Sequence, residues 1–178
     1  MNDAKDIREW IQLIFIVVGG TIGLVAYFQN IKQRRLENAL KVIALFKESL
    51  QEGDMAAWQK LFHTSSEPAG AKPGHYVYGN SQIPIANYFS EGSHDGGAVS
   101  RMAESLEVVC FEVCRKTIDV RYVWFELGQL LDTMHSWLTA IDHRNGKLLD
   151  EYPHMKKVFR KYHTDFKKWP KRVYVYVE

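Results

Sequence analysis

Cys110 and Cys114, the only two cysteines of the chain, stand four residues apart, so the first question is whether these thiols react or bind metal. Either role needs a thiolate, and a thiolate needs exposure and a cation or metal beside it. Both residues fall inside an apolar helical repeat, which reads as two reduced, buried thiols on one helix face. They have neither the spaced loops of a disulfide framework nor the paired CxxC of a structural zinc site. The seven histidines include no HExxH and no two spaced i, i+4; His94 beside Asp95, in a glycine-rich stretch, is the most ligand-like pair. Glu104, Glu107 and Glu112 are spaced along one helix and are expected to face solvent. With no Walker loop, no GxGxxG and no GxSxG, the expectation is a non-enzymatic protein with no cofactor and no metal.

Basic residues offer a different chemistry, the capture of phosphates. Lys156, Lys157, Arg160, Lys161, Lys167, Lys168, Lys171 and Arg172 lie near the C-terminus interleaved with aromatic residues. Such a surface suits anionic lipid headgroups or nucleic acid phosphates. The aromatic residues fall on a core stripe, so a plain solvated helix face is the competing reading. Nucleic acid is the weakest of the three, because Arg34 and Arg35 follow an apparent membrane segment that already holds the chain beside lipid. A formal net charge of +2 does not by itself imply a polyanionic partner.

That membrane segment is Trp10 to Phe28, WIQLIFIVVGGTIGLVAYF, nineteen residues without a charge. At about 1.5 Å per residue it covers the roughly 30 Å hydrocarbon layer, with Trp10, Tyr27 and Phe28 at interfacial positions. No small-residue cleavage site follows it, which argues against a signal peptide. The remaining alternative is a buried core helix. Lys5 and Arg8 precede the segment, and Lys32, Arg34, Arg35, Lys41 and Lys47 follow it, which favours a C-terminal domain in the cytoplasm. Gly19 and Gly23 form a small-xxx-small spacing that allows close helix packing in lipid, although glycine is common in such helices anyway.

The elements that must position these residues are mostly helical. No Pro or Gly interrupts the chain after the span, so a stalk is expected over residues 29–50, with Leu36, Leu40, Ile43, Phe46 and Leu50 as its apolar stripe. Asp54 is a plausible N-cap for a short helix, Met55 to Phe62. Residues 64–97 are rich in Pro and Gly and read as mostly loop, with Tyr76 to Tyr78 extended and one helical turn at Ile85 to Phe89. Val99, Met102, Leu106, Cys110 and Val113 then mark a helix ending near Lys116, and Thr117-Ile118-Asp119 offers a new start. Val120, Trp124, Leu127, Leu131, Met134, Leu138 and Ile141 mark the next helix, and Val123, Leu130 and Trp137 give it a second apolar row, as in an element packed on several sides. Asp142 to Gly146 reads as a turn. Pro153 opens a last helix with the stripe Met155, Phe159, Tyr162, Phe166 and Trp169. The tail from Lys171 to Val177 is rich in strand formers.

The whole is a mainly α chain: an N-terminal segment (1–9), a transmembrane helix (10–28), a stalk (29–50) and a cytoplasmic helical domain (51–178). A hydrophobic content of 46% over 178 residues supports one core of that size. The stretch 106–141, LEVVCFEVCRKTIDVRYVWFELGQLLDTMHSWLTAI, resembles a large family of bacterial proteins without an assigned activity. Their short N-terminal span precedes two long helices, with a turn ending in Ile-Asp and a glycine in the second helix. Ile118, Asp119 and Gly128 stand at those positions. The resemblance implies architecture and supplies no catalytic residue; the expected location is a bacterial inner membrane, crossed once with the N-terminus outside. The expected role is an anchored accessory or scaffolding subunit that binds membrane lipid and other membrane subunits, or itself through the span. The alternative is a signal-responsive effector, of the stress or phage-defence kind, that acts by oligomerisation.

Overall fold

A computed structural model describes residues 3–51, 53–54, 75–78, 81–89, 97–143 and 146–172. It is mainly helical, with a long apolar helix at the N-terminus. Helix α1 runs unbroken from Asp3 to Ser49, about 70 Å at 1.5 Å per residue. Two short strands, β1 (His75–Tyr78) and β2 (Ser81–Pro84), pair antiparallel and lead into a 3₁₀ turn at Ile85–Phe89, so the stretch expected to be mostly loop holds a hairpin. The bundle then takes α2 (Ala98–Arg115), α3 (Val120–Ala140) and α4 (Pro153–Phe166). Between α3 and α4, β3 (Asp142–His143) pairs with β4 (Gly146–Lys147), and a 3₁₀ turn follows at Leu148–Glu151. The proposed helix 55–62, the pair His94-Asp95 and the tail 173–177 lie outside the described residues.

The two halves of α1 have different surroundings. From Trp10 to Phe28 no side chain is covered, and thirteen large hydrophobic residues stand exposed, Phe15 and Ile16 by 70% or more. A buried core helix is thereby excluded within this chain. At roughly 1.5–3 kcal/mol per side chain, leaving that surface in water costs on the order of 20 kcal/mol or more. Soluble monomers do not carry such a patch. By length and composition this helix is able to cross a membrane.

Beyond residue 38 the same helix enters the core. Ala39, Ile43 and Phe46 are buried against α2 and α3. The expected stripe is therefore rotated, for Leu36 and Leu40 are 39% and 47% exposed. Ala39 explains the shift: its small side chain lets the α2–α3 turn come against α1, and an alanine does not register as part of an apolar stripe. There Asn38 Nδ2 donates to Thr117 O (3.2 Å), and Asp119 N–H donates to Arg35 O (3.2 Å).

Around this contact the three domain helices follow their sequence pattern. Val99, Met102, Leu106, Cys110 and Val113 of α2 are buried, as are both apolar rows of α3 apart from the half-buried Val120. Asp119 caps α3, its Oδ1 accepting from Arg121 N (2.8 Å) and Tyr122 N (3.4 Å). α2 packs chiefly on α4, whose buried residues are Met155, Val158, Phe159 and Phe166. α4 ends at Phe166, one turn earlier than its stripe suggests, and Tyr162 and Trp169 are only half-buried.

Gly128 has a defined steric reason. A Cβ there would meet Trp124 Cδ2 at 3.0 Å and Lys171 Cβ at 3.1 Å, so its absence lets the segment after α4 cross α3. Arg172 N–H, donating to Phe125 O at 2.8 Å, fixes that crossing.

Asp54 closes the far end of α1. Only 3% exposed, its Oδ1 accepts from Arg101 at 2.5 Å, while Oδ2 accepts from Arg101 Nε (3.2 Å) and Gln51 N (2.9 Å). The Arg101 hydrogen bond holds this carboxyl below its ordinary value of 3.8, against the opposing effect of burial. The resulting stability is complete above that ordinary, unfolded-state value and is lost as pH falls through the lower folded-state value. Charge-assisted bonds contribute about 1.5–3 kcal/mol, and Arg101 is a third exposed, so the lower end applies. An Asp54→Asn variant is expected to lose urea resistance at pH 7 and to show a smaller drop than the parent between pH 5 and pH 3. Parallel pH profiles for the two proteins would refute the assignment.

Candidate functional sites

The thiols come first, and neither is activated. Cys110 is buried, and burial pushes its thiol well up. Cys114 is half-buried, and burial again raises it, against the nearby Lys157 and Lys161. Both are free, unpaired sulfhydryls. Among the described residues no three His, Cys, Asp or Glu side chains group as metal ligands.

Glu107 departs from the expected solvent-facing role. Its carboxylate reaches across to the start of α4, where Oε1 accepts from His154 N (2.8 Å) and contacts His154 Nδ1 (2.7 Å), and Oε2 accepts from Met155 N (2.8 Å). Pro153 at the start of α4 supplies no amide hydrogen, and Tyr152 makes no side-chain cap, so a residue of another helix takes the capping role. A negative charge there also suits the helix dipole. Glu107→Ala is expected to cost about 2 kcal/mol, read as a lower urea midpoint, and Glu107→Gln to recover part of it. An unchanged midpoint in the alanine variant would show the cap to be idle. Glu112 is likewise tied locally, its Oε2 accepting from Thr117 Oγ1 at 2.6 Å.

Two concave regions among the described residues bear on function. The first is a groove of about 630 Å³ between α3, α4 and the segment after it, within the range of small-molecule sites. Trp124, Phe159, Phe166 and Trp169 form its apolar wall. Trp124 stacks on Phe166 at 3.8 Å, and His135 stacks on Phe159 at 3.8 Å. Burial lowers the pKa of His135, which favours the neutral ring that stacks there. Ser136, Thr139 and His163 add polar groups, and the Lys171–Asp132 pair (2.6 Å) lies beside them. Thr139 Oγ1 donates to His135 O within the helix (2.7 Å). The second region, about 560 Å³, is lined by Lys32, Arg35, Lys116 and Arg121 together with Asp119, Val120 and Tyr162.

The residues singled out for lipid contact are scattered. Arg35 lines the second region, whereas Arg34 is exposed elsewhere on α1. Lys156 pairs with Asp150 at 2.5 Å, and Lys161 Nζ sits 4.7 Å above the Tyr162 ring. Lys167 borders the aromatic groove, and Lys157, Arg160 and Lys168 are exposed. Arg172 reaches Glu126 at 3.4 Å. Gly19 and Gly23 have nothing within 4 Å of an added Cβ, so that face of the helix is open to a neighbour.

Lys116 and Arg121 were not foreseen as site residues. They flank the Asp119 cap, and only the docking of this turn on α1 joins them to Arg35. Comparison with protein-family models, with curated proteins and with solved structures finds no match for this chain, so the candidate sites rest on their geometry.

Proposed function

We propose that this chain is a non-enzymatic accessory or scaffolding subunit of a membrane complex. α1 crosses the bilayer once, and the helical domain lies on the cytoplasmic side, where it binds neighbouring subunits. One observation carries the reading: a single helix joins an uncovered apolar stretch to the packed core without a break, so anchor and domain move as one body. The excess of Lys and Arg after the stretch supports the sidedness. Exposed apolar pairs on the bundle, Leu36 with Leu40 and Val108 with Phe111, supply surface for protein partners, and the open Gly19–Gly23 face supplies it within lipid. The charged contacts on Asp54, Glu107 and Asp119 act as struts and caps, which fits a binding role better than catalysis.

Gentle detergent extraction followed by mass spectrometry of the intact assembly tests this proposal. Fixed partners at constant stoichiometry are the expected result, and a bare monomer would overturn it. The aromatic groove favours a second reading, a signal-responsive effector in which a small ligand changes the oligomeric state. That reading predicts a ligand-dependent shift in assembly size and no fixed partner.

A further inference from the structure

The second concave region carries more than the electrostatics of a basic helix. Four cations from three parts of the fold converge on it: Lys32 and Arg35 from α1, Lys116 from the end of α2, and Arg121 from the first turn of α3. Among the described residues none of the four is in an ion pair. Asp119, the one carboxylate in the lining, is directed to the backbone amides of Arg121 and Tyr122. Asp119 keeps its charge while capping α3, so the lining holds four positive charges against one negative.

Two details bear on how Arg121 and Lys116 are placed. The Arg121 guanidinium lies 5.3 Å from the Trp169 ring centroid, a contact that orients it without neutralising it. Lys116 ends α2 at φ 60°, the only non-glycine residue at positive φ among those described. Glycine is the residue that adopts this conformation without strain. A lysine here places a cation on the pocket wall at a conformational cost.

The position along α1 selects the ligand. Lys32 and Arg35 follow Phe28 by four and seven residues, about 6 and 10 Å along the helix axis. The headgroup layer occupies roughly 5–7 Å on each side of the hydrocarbon. Lys32 thus lies at headgroup depth when α1 spans the bilayer, and Arg35 stands about 3–5 Å beyond that layer, a distance its long side chain can span back toward the headgroups.

Resting on the membrane-spanning reading, we infer that this pocket binds the phosphate of an anionic lipid headgroup. Arg35 and Arg121 supply planar donors suited to phosphate oxygens, and Lys32 and Lys116 supply point charges.

The test uses the full-length chain in nanodiscs, first of phosphatidylcholine alone and then with one fifth phosphatidic acid. Entry into the neutral disc tests only the span, and failure there would overturn the spanning reading. Native mass spectrometry of protein released from the mixed disc is expected to show one retained phosphatidic acid per chain. Retention should fall at least tenfold in an Arg35→Gln, Arg121→Gln variant and severalfold in Lys116→Gly. Since glycine relieves the positive φ, Lys116→Gly should also melt at or above the parent temperature, which separates lost binding from lost folding. Lys147→Gln, beyond the far end of α3, should retain lipid normally. Entry into neutral discs with no retained phosphatidic acid, or equal retention in every variant, would overturn the pocket assignment. A parallel titration of the detergent-solubilised chain with inorganic phosphate addresses the source. Binding of free phosphate that depends on Arg121, with no lipid retained, would overturn the lipid assignment in favour of a soluble anion.

Discussion

Arginine at Val17 and at Ile22 is expected to release the full-length protein from membranes while leaving its helical domain folded. The uncovered stretch of α1 contains eleven exposed Leu, Ile, Val and Phe residues between Ile11 and Phe28. On an insertion scale of about 0.3–0.6 kcal/mol each at mid-span, they favour the bilayer by roughly 3–7 kcal/mol. Two central arginines oppose insertion by about 5–7 kcal/mol, enough to cancel that preference and to shift partitioning by a factor of about 10⁴. None of this stretch is buried in the rest of the chain, so the substitutions remove no packing from the bundle. Flotation with phosphatidylcholine vesicles reads the first effect, and near-ultraviolet circular dichroism, which reports packed aromatic residues, reads the second. Flotation of the double variant equal to that of the parent would contradict the proposed span. Lost dichroism would mean that the span supports the domain through contacts this fold does not contain.

What was legible in the sequence depended on range. The alternation from Val120 to Ile141, with its second row Val123, Leu130 and Trp137, marked a helix buried along both rows, because one helix packed on several sides repeats its pattern on each face. Asp119 and Pro153 marked helix starts through local backbone chemistry. The continuity of α1 followed from the lack of any breaker between Phe28 and Leu50. Long-range partners were not legible. Glu107 looks like a solvated acid until α4 is folded against α2, and its partner amides lie 47 and 48 residues away. Asp54 and Arg101 are separated by 47 residues in the same way. The buried face of α1 was legible at Ile43, Phe46 and the half-buried Leu50 but not at Ala39, whose small side chain is fully buried while Leu36 and Leu40 stand exposed. The basic pocket exists only because one turn docks on one stretch of α1, and charge patterning along the chain does not record that contact.

Trp124→Ala is expected to be the most damaging single core substitution, at about 3–5 kcal/mol, against a total stability of about 5–15 kcal/mol. Trp124 is 2% exposed and serves as the junction of an aromatic cluster. It stacks on Phe166, meets Phe159 edge-on at 6.1 Å, and donates from Nε1 to Trp169 O at 3.4 Å. Its removal therefore loosens α4 and the segment after it together. For a domain of this size the melting temperature should fall by roughly 10–20 °C.

Gly128 makes the argument sharper than the size of that loss. Glycine to alanine inside a helix normally gains about 1 kcal/mol. In the parent the added methyl meets the Trp124 indole at 3.0 Å, and the indole is held by stacking on Phe166, so Gly128→Ala should bring little gain or a loss. Once Trp124 is alanine that obstruction is gone, and the same substitution should be stabilising, limited only by Lys171 Cβ at 3.1 Å. A double-mutant cycle from urea midpoints should thus give a coupling of about 0.5–2 kcal/mol that favours the double variant over the sum of the singles. Additivity within about 0.3 kcal/mol would mean that the close approach at Gly128 is not what confines this helix crossing.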